Sequence, residues 1–129
     1  MTVKKIILDS NFLLIPFKFK VDIFSEISYL LEGEKIFIIS KGILNELNKL
    51  SKNKGKEGMS AKFALQMVEK NKDRIKIIAS EKRVDDWILD YSKKYNSIVC
   101  TNDTKLINDL KKERIKVVVL KKKSRIDFA

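Results

Sequence analysis

The sequence predicts an α/β fold in which helices flank a mainly parallel, five-stranded sheet. Five short apolar runs rich in β-branched residues alternate with segments of helical periodicity. Near-continuous apolar runs are typical of strands that a parallel sheet buries on both faces. The 129 residues include one Pro and four Gly, which does not suit a turn-rich β-sandwich. We therefore expect one three-layer domain over residues 1–129.

The predicted elements follow the order β-α-β-α-α-β-α-β-α-β, which indicates a mainly parallel sheet with helices on both faces. The strands are expected at 6–8, 36–39, 75–78, 97–100 and 115–120. The helices are expected at 22–33, 42–50, 59–71, 85–95 and 104–113. The polar segment 51–58 is either a mobile interhelical loop or a basic arm near the substrate.

Several large or apolar side chains are assigned to packing. The phenylalanines expected in the core are Phe12, Phe24, Phe37 and Phe63. Trp87 is expected to pack on a helix face or to form part of a dimer face. Cys100 lies in a predicted buried strand, where we expect it to be inert.

The composition excludes several kinds of catalytic and metal site. Cys100 is the only cysteine and the chain has no His, so an intrachain disulfide and a Cys/His zinc site are both impossible. Ser-His-Asp and Cys-His catalysis are excluded for the same reason. Any chemistry must use carboxylates, lysines, hydroxyls or a hard metal ion.

No apolar stretch reaches the roughly 20 residues that a membrane-spanning helix needs. The first apolar run is too short for a signal-peptide core and leads into an acidic turn. We therefore expect a cytoplasmic protein with no membrane association. The net charge is +11, which indicates either a polyanionic partner such as RNA or a lysine-rich surface that promotes solubility.

Acidic side chains follow four of the predicted strands. In an open parallel sheet, ligands bind outside the carboxyl ends of the strands. The acids near those ends are Asp9, Glu46, Asp85, Asp86 and Asp103. Each has a simpler explanation as a turn former, a helix cap or a solvated helix residue. Together they would repel one another, and a divalent cation would relieve that repulsion. Ligands that are all oxygen favour Mg²⁺ or Mn²⁺.

Four stretches of the sequence resemble the PIN domain family of metal-dependent ribonucleases. They are ILDSNFLL, ILNELNKL, VDDWILDYSKKYNSIVCTND and IKVVVLKKKSRI, and the resemblance covers essentially the whole chain. The basic segment after the last strand is most similar to the archaeal branch related to the Fcf1-type ribosome-processing proteins. The toxin branch of VapC type shares the same core.

The resemblance implies a function for each of the acids. Asp9, Glu46, Asp85 and Asp103 match the acidic quartet that binds one or two Mg²⁺ or Mn²⁺ ions and catalyses hydrolysis of RNA. Asp86 is a further metal ligand in this prediction, because either member of the DD pair can take that position, and Asp85 is preferred. The matches to positions that support the site by hydrogen bonds are Asn11 and Thr101.

Basic residues near the acids are candidates for RNA contacts. Lys41 and Lys105 lie close in sequence to site acids, and each is either a phosphate contact or an ordinary surface residue. The predicted basic tail, about residues 121–129, is either an RNA contact or a solvated end. Its cationic residues are Lys121, Lys122, Lys123 and Arg125.

Two function classes follow from these features. The first is a metal-dependent endoribonuclease that acts in RNA or rRNA processing or as a toxin. The second is a non-catalytic RNA-binding or ribosome-assembly module with the same fold. The resemblance also implies a homodimer, an antitoxin or a ribosome-assembly factor as a protein partner.

Overall fold

The computed structural model describes residues 3–129 and confirms the α/β architecture. The strands are β1 (Lys4–Leu8), β2 (Lys35–Ser40), β3 (Ile75–Ile78), β4 (Ile98–Cys100), β5 (Val117–Lys121) and β6 (Arg125–Phe128). The helices are α1 (Ser10–Leu13), α2 (Ile15–Phe19), α3 (Ile23–Leu30), α4 (Lys41–Leu50), α5 (Gly55–Lys70), α6 (Val84–Tyr95) and α7 (Thr104–Lys112). The sheet has six strands where five were expected.

The strand order in the sheet is β3-β2-β1-β4-β5-β6, and all neighbours are parallel except β5 and β6. Strand β1 is central, and its residue Leu8 lies opposite Cys100 of β4. The side chains of Ile6, Ile7 and Leu8 are completely buried, which stabilises the fold by about 2 kcal/mol each. The parallel strands β1, β2 and β4 therefore end at one edge of the sheet, which we call the carboxyl edge.

The helices form two packed groups. Helices α6 and α7 pack on β1, β4 and β5, whereas α1, α2, α4 and α5 pack on one another. The predicted burial of Phe12, Phe24, Phe37 and Cys100 is confirmed. Trp87 is buried as well, which favours packing on a helix face over a place in a dimer face. Within residues 3–129, no helix combines the length and the apolar character that crossing a membrane requires.

The predicted basic tail at about 121–129 is part of the sheet rather than a tail. Residues Arg125–Phe128 form β6, which pairs antiparallel with β5 so that Lys121 lies opposite Arg125. The intervening turn places Lys122 and Lys123 in the left-handed region, with φ of 53° and 58°. Such turns usually contain Asn and Gly, so this Lys-Lys turn gave no hairpin signal in the sequence.

The expectations for the segment 51–58 and for Phe63 are also wrong in part. Helix α5 already begins at Gly55, so the connection from α4 is only four residues long. Gly58 is required inside this helix, because a Cβ there would lie 1.8 Å from the Asn53 carbonyl oxygen. Phe63 contacts Phe17 but remains 43% exposed, since its helical periodicity does not reveal which face of α5 is buried.

Candidate active site

Asp9 lies at the centre of the carboxyl edge, directly after β1. Its backbone amide donates to the Cys100 carbonyl at 3.0 Å, which continues the pairing of β1 with β4. Its Oδ1 atom accepts from the Ser10 amide at 2.8 Å and caps α1. Because its side chain is only 3% exposed, Asp9 is a buried carboxylate that needs partners.

Two side chains hold the second oxygen of Asp9. The Thr101 hydroxyl donates to Oδ2 at 2.8 Å, and the side-chain Nδ2 of Asn11 donates to the same atom at 3.0 Å. Thr101 also accepts from the backbone amide of Asp103 at 3.1 Å. The supporting positions predicted for Asn11 and Thr101 thus lie in direct contact with Asp9. The alternative interpretation of Asp9 as only a turn former does not account for this network.

The other acids change the electrostatics of Asp9. Its pKa is raised from 3.8 to about 6, first by burial and then by the negative charges of Asp85 and Glu46. Hydrogen bonds from Thr101 and Ser10 lower the pKa and only partly offset these effects. The structure therefore brings three of the predicted acids into one electrostatic group.

Glu46 reaches this group from α4. It is exposed, and its Oε1 accepts from the Ser10 hydroxyl at 2.7 Å. Glu46 lies in the second turn of α4, which follows β2 directly. A single hydrogen bond to an exposed glutamate leaves its side chain free to change rotamer at small energetic cost.

Asp85 and Asp86 differ in their surroundings. Both lie in the first turn of α6, but Asp85 is half-buried and Asp86 is exposed. The pKa of Asp85 is raised by burial first and by the charge of Asp103 next. Asp86 lines a separate surface depression with Lys82 and Arg83. This difference favours Asp85, the residue preferred from the sequence, as the member of the pair that belongs to the site.

Asp103 caps α7 through Oδ1, which accepts from the Leu106 amide at 3.0 Å. The helix-cap interpretation is therefore correct for this residue. It does not conflict with a place in the acidic site, since Asp103 also raises the pKa of Asp85. Asp9, Glu46, Asp85 and Asp103 are called the acidic cluster below.

The predicted basic residues have different positions relative to the acidic cluster. The charge of Lys105 lowers the pKa of Asp85, so Lys105 lies near the acids. Lys41 is exposed at the first position of α4. Lys121, Lys122, Lys123 and Arg125 belong to the β5–β6 turn region, beyond the carboxyl edge of β4. Their contacts with RNA stay a prediction.

The structure adds three residues that sequence reasoning missed. Ser10 connects Asp9 with Glu46, and Arg83 lowers the pKa of Asp85. The backbone amide of Asn102 donates to Asn11, and its side chain binds the backbone of Leu120. Ser10 and Asn102 lie inside the motifs DSN and TND, so a test of every polar residue in those motifs would have found them.

The acidic cluster fits a hard divalent cation in its chemistry. Its donors are all carboxylate oxygens. The pKa values of Asp9 and Asp85 are raised by burial first, and repulsion from neighbouring carboxylates adds to that effect. In the present arrangement, however, no three Asp or Glu side chains of residues 3–129 have the geometry to hold a metal ion.

Two curated relatives align over nearly the whole chain. Ribonuclease VapC4 of Methanocaldococcus jannaschii is 36% identical over 128 residues, which cover 96% of this chain and 95% of the relative. Ribonuclease VapC9 of Archaeoglobus fulgidus is 29% identical over 121 residues, which cover 93% of this chain and 85% of the relative.

A solved structure has the same fold, and a family model matches most of the chain. The structure of the PIN domain endonuclease Utp24 superposes with a TM-score of 0.79 and 23% identity, and covers 96% of this chain and 90% of that chain. The family model for a PIN like domain matches residues 6–123. This chain therefore belongs to the PIN-like domain family, with archaeal relatives of VapC type.

Proposed function

We propose that the protein is a metal-dependent endoribonuclease that hydrolyses RNA phosphodiester bonds. The observation that carries this proposal is the Asp9 carboxylate, which is held by Thr101 and Asn11 and whose pKa is raised first by burial and then by the neighbouring Asp85 and Glu46. A cluster of this kind is destabilised without a cation. The names of the two curated relatives support RNA as the substrate class.

In this proposal, the acidic cluster holds one or two Mg²⁺ or Mn²⁺ ions. Bound there, the ions would activate water and stabilise the charge that develops on the phosphate. Asp9 and Asp103 anchor the first ion, whereas Glu46 and Asp85 complete the ligand set. Thr101 and Asn11 orient Asp9, since outer hydrogen bonds fix the direction in which a ligating carboxylate presents its oxygens.

Basic residues would hold the RNA backbone beside these acids. Lys105 lies near Asp85, and the net charge of +11 favours association with a polyanion. Lys41 and the cations of the β5–β6 turn are the further proposed contacts. The proposal covers both settings expected from the sequence, RNA processing and a toxin that pairs with an antitoxin, and includes a homodimer.

A non-catalytic RNA-binding or ribosome-assembly module is the second candidate. It is favoured by the net charge of +11, which promotes RNA binding without requiring cleavage. The two candidates differ in whether added metal produces cleavage. They share the prediction that RNA binding weakens steeply as the salt concentration rises.

The test is cleavage of labelled single-stranded RNA and of a structured ribosomal RNA fragment with Mn²⁺, Mg²⁺ or EDTA. We expect metal-dependent cleavage that falls on the order of 10³-fold in Asp9→Asn and Asp103→Asn, because several kcal/mol of transition-state stabilisation are lost. Asp73→Asn is the matched control, since Asp73 is exposed just before β3, at the opposite edge of the sheet. Cleavage that persists in both site variants would contradict the proposal, and binding without cleavage would support the second candidate.

A further inference from the structure

We infer that Asn102 and the β5–β6 turn form one phosphate-binding unit, which holds the RNA backbone at a fixed position beside the acidic cluster. The turn and its two flanking residues, Lys121–Arg125, are called the basic hairpin below. This inference rests on the proposed function in one respect, since it takes RNA as the substrate class. It adds a positioning role for Asn102, and a reason why lysines occupy the tip of the hairpin.

Asn102 joins the basic hairpin by hydrogen bonds to the loop of residues 101–103, which connects β4 with α7. Its Oδ1 accepts from the Leu120 amide at 2.9 Å, and its Nδ2 donates to the Leu120 carbonyl at 3.2 Å. Strand β4 has ended at Cys100, so this side chain pairs with β5 where β4 no longer does. The backbone amide of Asn102 also donates to Oδ1 of Asn11 at 3.0 Å, and Nδ2 of Asn11 donates to Asp9. The hairpin is thus joined to Asp9 through two asparagines.

The hairpin tip has a backbone that disfavours lysine. Lys122 and Lys123 have φ of 53° and 58°, and the Ser124 amide donates to the Lys121 carbonyl at 3.1 Å. Asn and Gly adopt this conformation with less strain than a long side chain does. Arg114 adopts the same conformation at the opposite edge of the sheet, so backbone strain alone does not assign a function to the two lysines. Both lysines are exposed, and their place in the hairpin distinguishes them from Arg114.

The charges of the hairpin favour a polyanion as the occupant. Four of its five residues are cationic and none is acidic. Within residues 3–129, salt bridges engage Lys18, Lys72, Lys82 and Lys93 but no cation of the hairpin. The hairpin begins where β5 extends past β4, next to the loop that carries Asp103. An RNA strand bound to the acidic cluster would therefore have its neighbouring phosphates beside these cations.

The structure provides a variant that removes charge and relieves strain together. Lys122→Asn with Lys123→Gly should leave the melting temperature unchanged or raise it, because the turn now has its preferred residues. The same variant should weaken binding of single-stranded RNA. Its logarithmic salt dependence should become shallower by about 1.4, since each lost phosphate contact contributes about 0.7.

Arg114→Asn is the matched control for Lys122→Asn alone. Arg114 is exposed and has a φ of 60°, but it precedes β5 at the opposite edge of the sheet. The substitution Arg114→Asn therefore removes one charge and relieves one strained residue far from the acids. We expect an unchanged salt dependence for Arg114→Asn and a decrease of about 0.7 for Lys122→Asn.

Asn102→Ala tests whether the unit acts as one. If Asn102 positions the hairpin, its substitution weakens RNA binding in the wild-type background and has little further effect in the hairpin variant. Additive effects would overturn the positioning role of Asn102. Wild-type RNA binding in the hairpin variant, or an equal loss in Arg114→Asn, would overturn the phosphate-binding role.

All these titrations are made in EDTA, so that binding is measured without cleavage. The inference therefore survives if the protein proves to bind RNA without cutting it. It fails, with the proposed nuclease activity intact, if cleavage requires Asp9 while the hairpin variant binds RNA normally. An acidic protein as the true occupant of the hairpin would produce this second result.

Discussion

The acidic cluster contains a buried acid, Asp9, and an exposed acid, Glu46, and the two are positioned by different means. Asp9 is 3% exposed and receives hydrogen bonds from Ser10, Asn11 and Thr101. Glu46 is exposed and receives one hydrogen bond. Folding therefore fixes the buried carboxylate, whereas a bound ion would have to fix the exposed one. The comparison shows which parts of the site exist before any ligand arrives.

The difference follows from the elements that carry the two residues. Asp9 and Thr101 extend the paired ends of β1 and β4, where backbone hydrogen bonds already set their spacing. Glu46 projects from the second turn of a helix and is constrained only by its side-chain torsions and one hydrogen bond from Ser10. The predictions that follow compare buried with more exposed positions at the site, and they are ordered by their expected effect on stability.

The largest expected effect is a pH dependence caused by Asp9 in the metal-free protein. Its pKa is about 6 in the folded protein, against 3.8 for an unperturbed aspartate, so the folded protein binds more protons between these values. The free energy of unfolding therefore falls as the pH rises from about 4 to 7, by about 3 kcal/mol from this residue. Urea unfolding in EDTA at several pH values measures it.

Asp9→Asn is the control for this pH dependence. The variant should lose the Asp9 contribution while keeping that of acids such as Asp22 and Asp90, whose pKa values are lowered. Lowered pKa values make stability rise with pH, so only the difference between the two proteins isolates Asp9. An identical pH profile in both proteins would show that burial does not penalise the Asp9 charge.

The next largest effect is expected for Thr101→Val, which removes a completely buried hydroxyl. The variant leaves Asp9 and the Asp103 amide without one partner each, at a stability cost of about 2 kcal/mol. Cleavage should fall roughly 10–100-fold, as for other outer partners of a metal ligand. Thr104→Val, at an exposed position in α7, should be nearly neutral in both measurements. Equal effects of the two variants would contradict the buried role of Thr101.

The smallest stability effects are expected for the Asp85 and Asp86 pair. Asp86→Asn should change the free energy of unfolding by less than about 0.5 kcal/mol, as usual for exposed positions. Asp85→Asn should stabilise slightly, because burial and Asp103 both disfavour its charge. The two variants differ mainly in activity, and metal-dependent cleavage should fall in Asp85→Asn only. The reverse result would assign the ligand position to Asp86.

The fold and most of the acidic site could be predicted because each rests on a local pattern. Apolar β-branched runs mark β1, β2 and β4, and the acids beyond them follow from the rule that parallel strands end together. The partners Asn11 and Thr101 came from family resemblance, since they lie 90 positions apart in the chain. Nothing local connects two such residues before the strands are paired.

The features that the sequence did not reveal depend on tertiary contacts. Strand β6 was missed because its turn uses Lys122 and Lys123 in place of Asn and Gly. The hydrogen bonds of the Asn102 side chain were missed because they join it to the backbone of Leu120, which is distant in sequence. The exposure of Phe63 depends on how α5 lies against α2 and α4. In each case the determining contact joins parts of the chain whose relative position the local pattern does not encode.

The central position of β1 has a consequence for the newly synthesised chain. Its neighbours in the sheet are β2 and β4, and the hydrogen bond from Thr101 to Asp9 spans 92 positions. Contacts this distant in sequence form slowly, and only after both segments have left the ribosome. A growing chain therefore has no assembled acidic cluster until Asp103 has emerged. Synthesis itself thus delays any activity of this site until the domain is nearly complete.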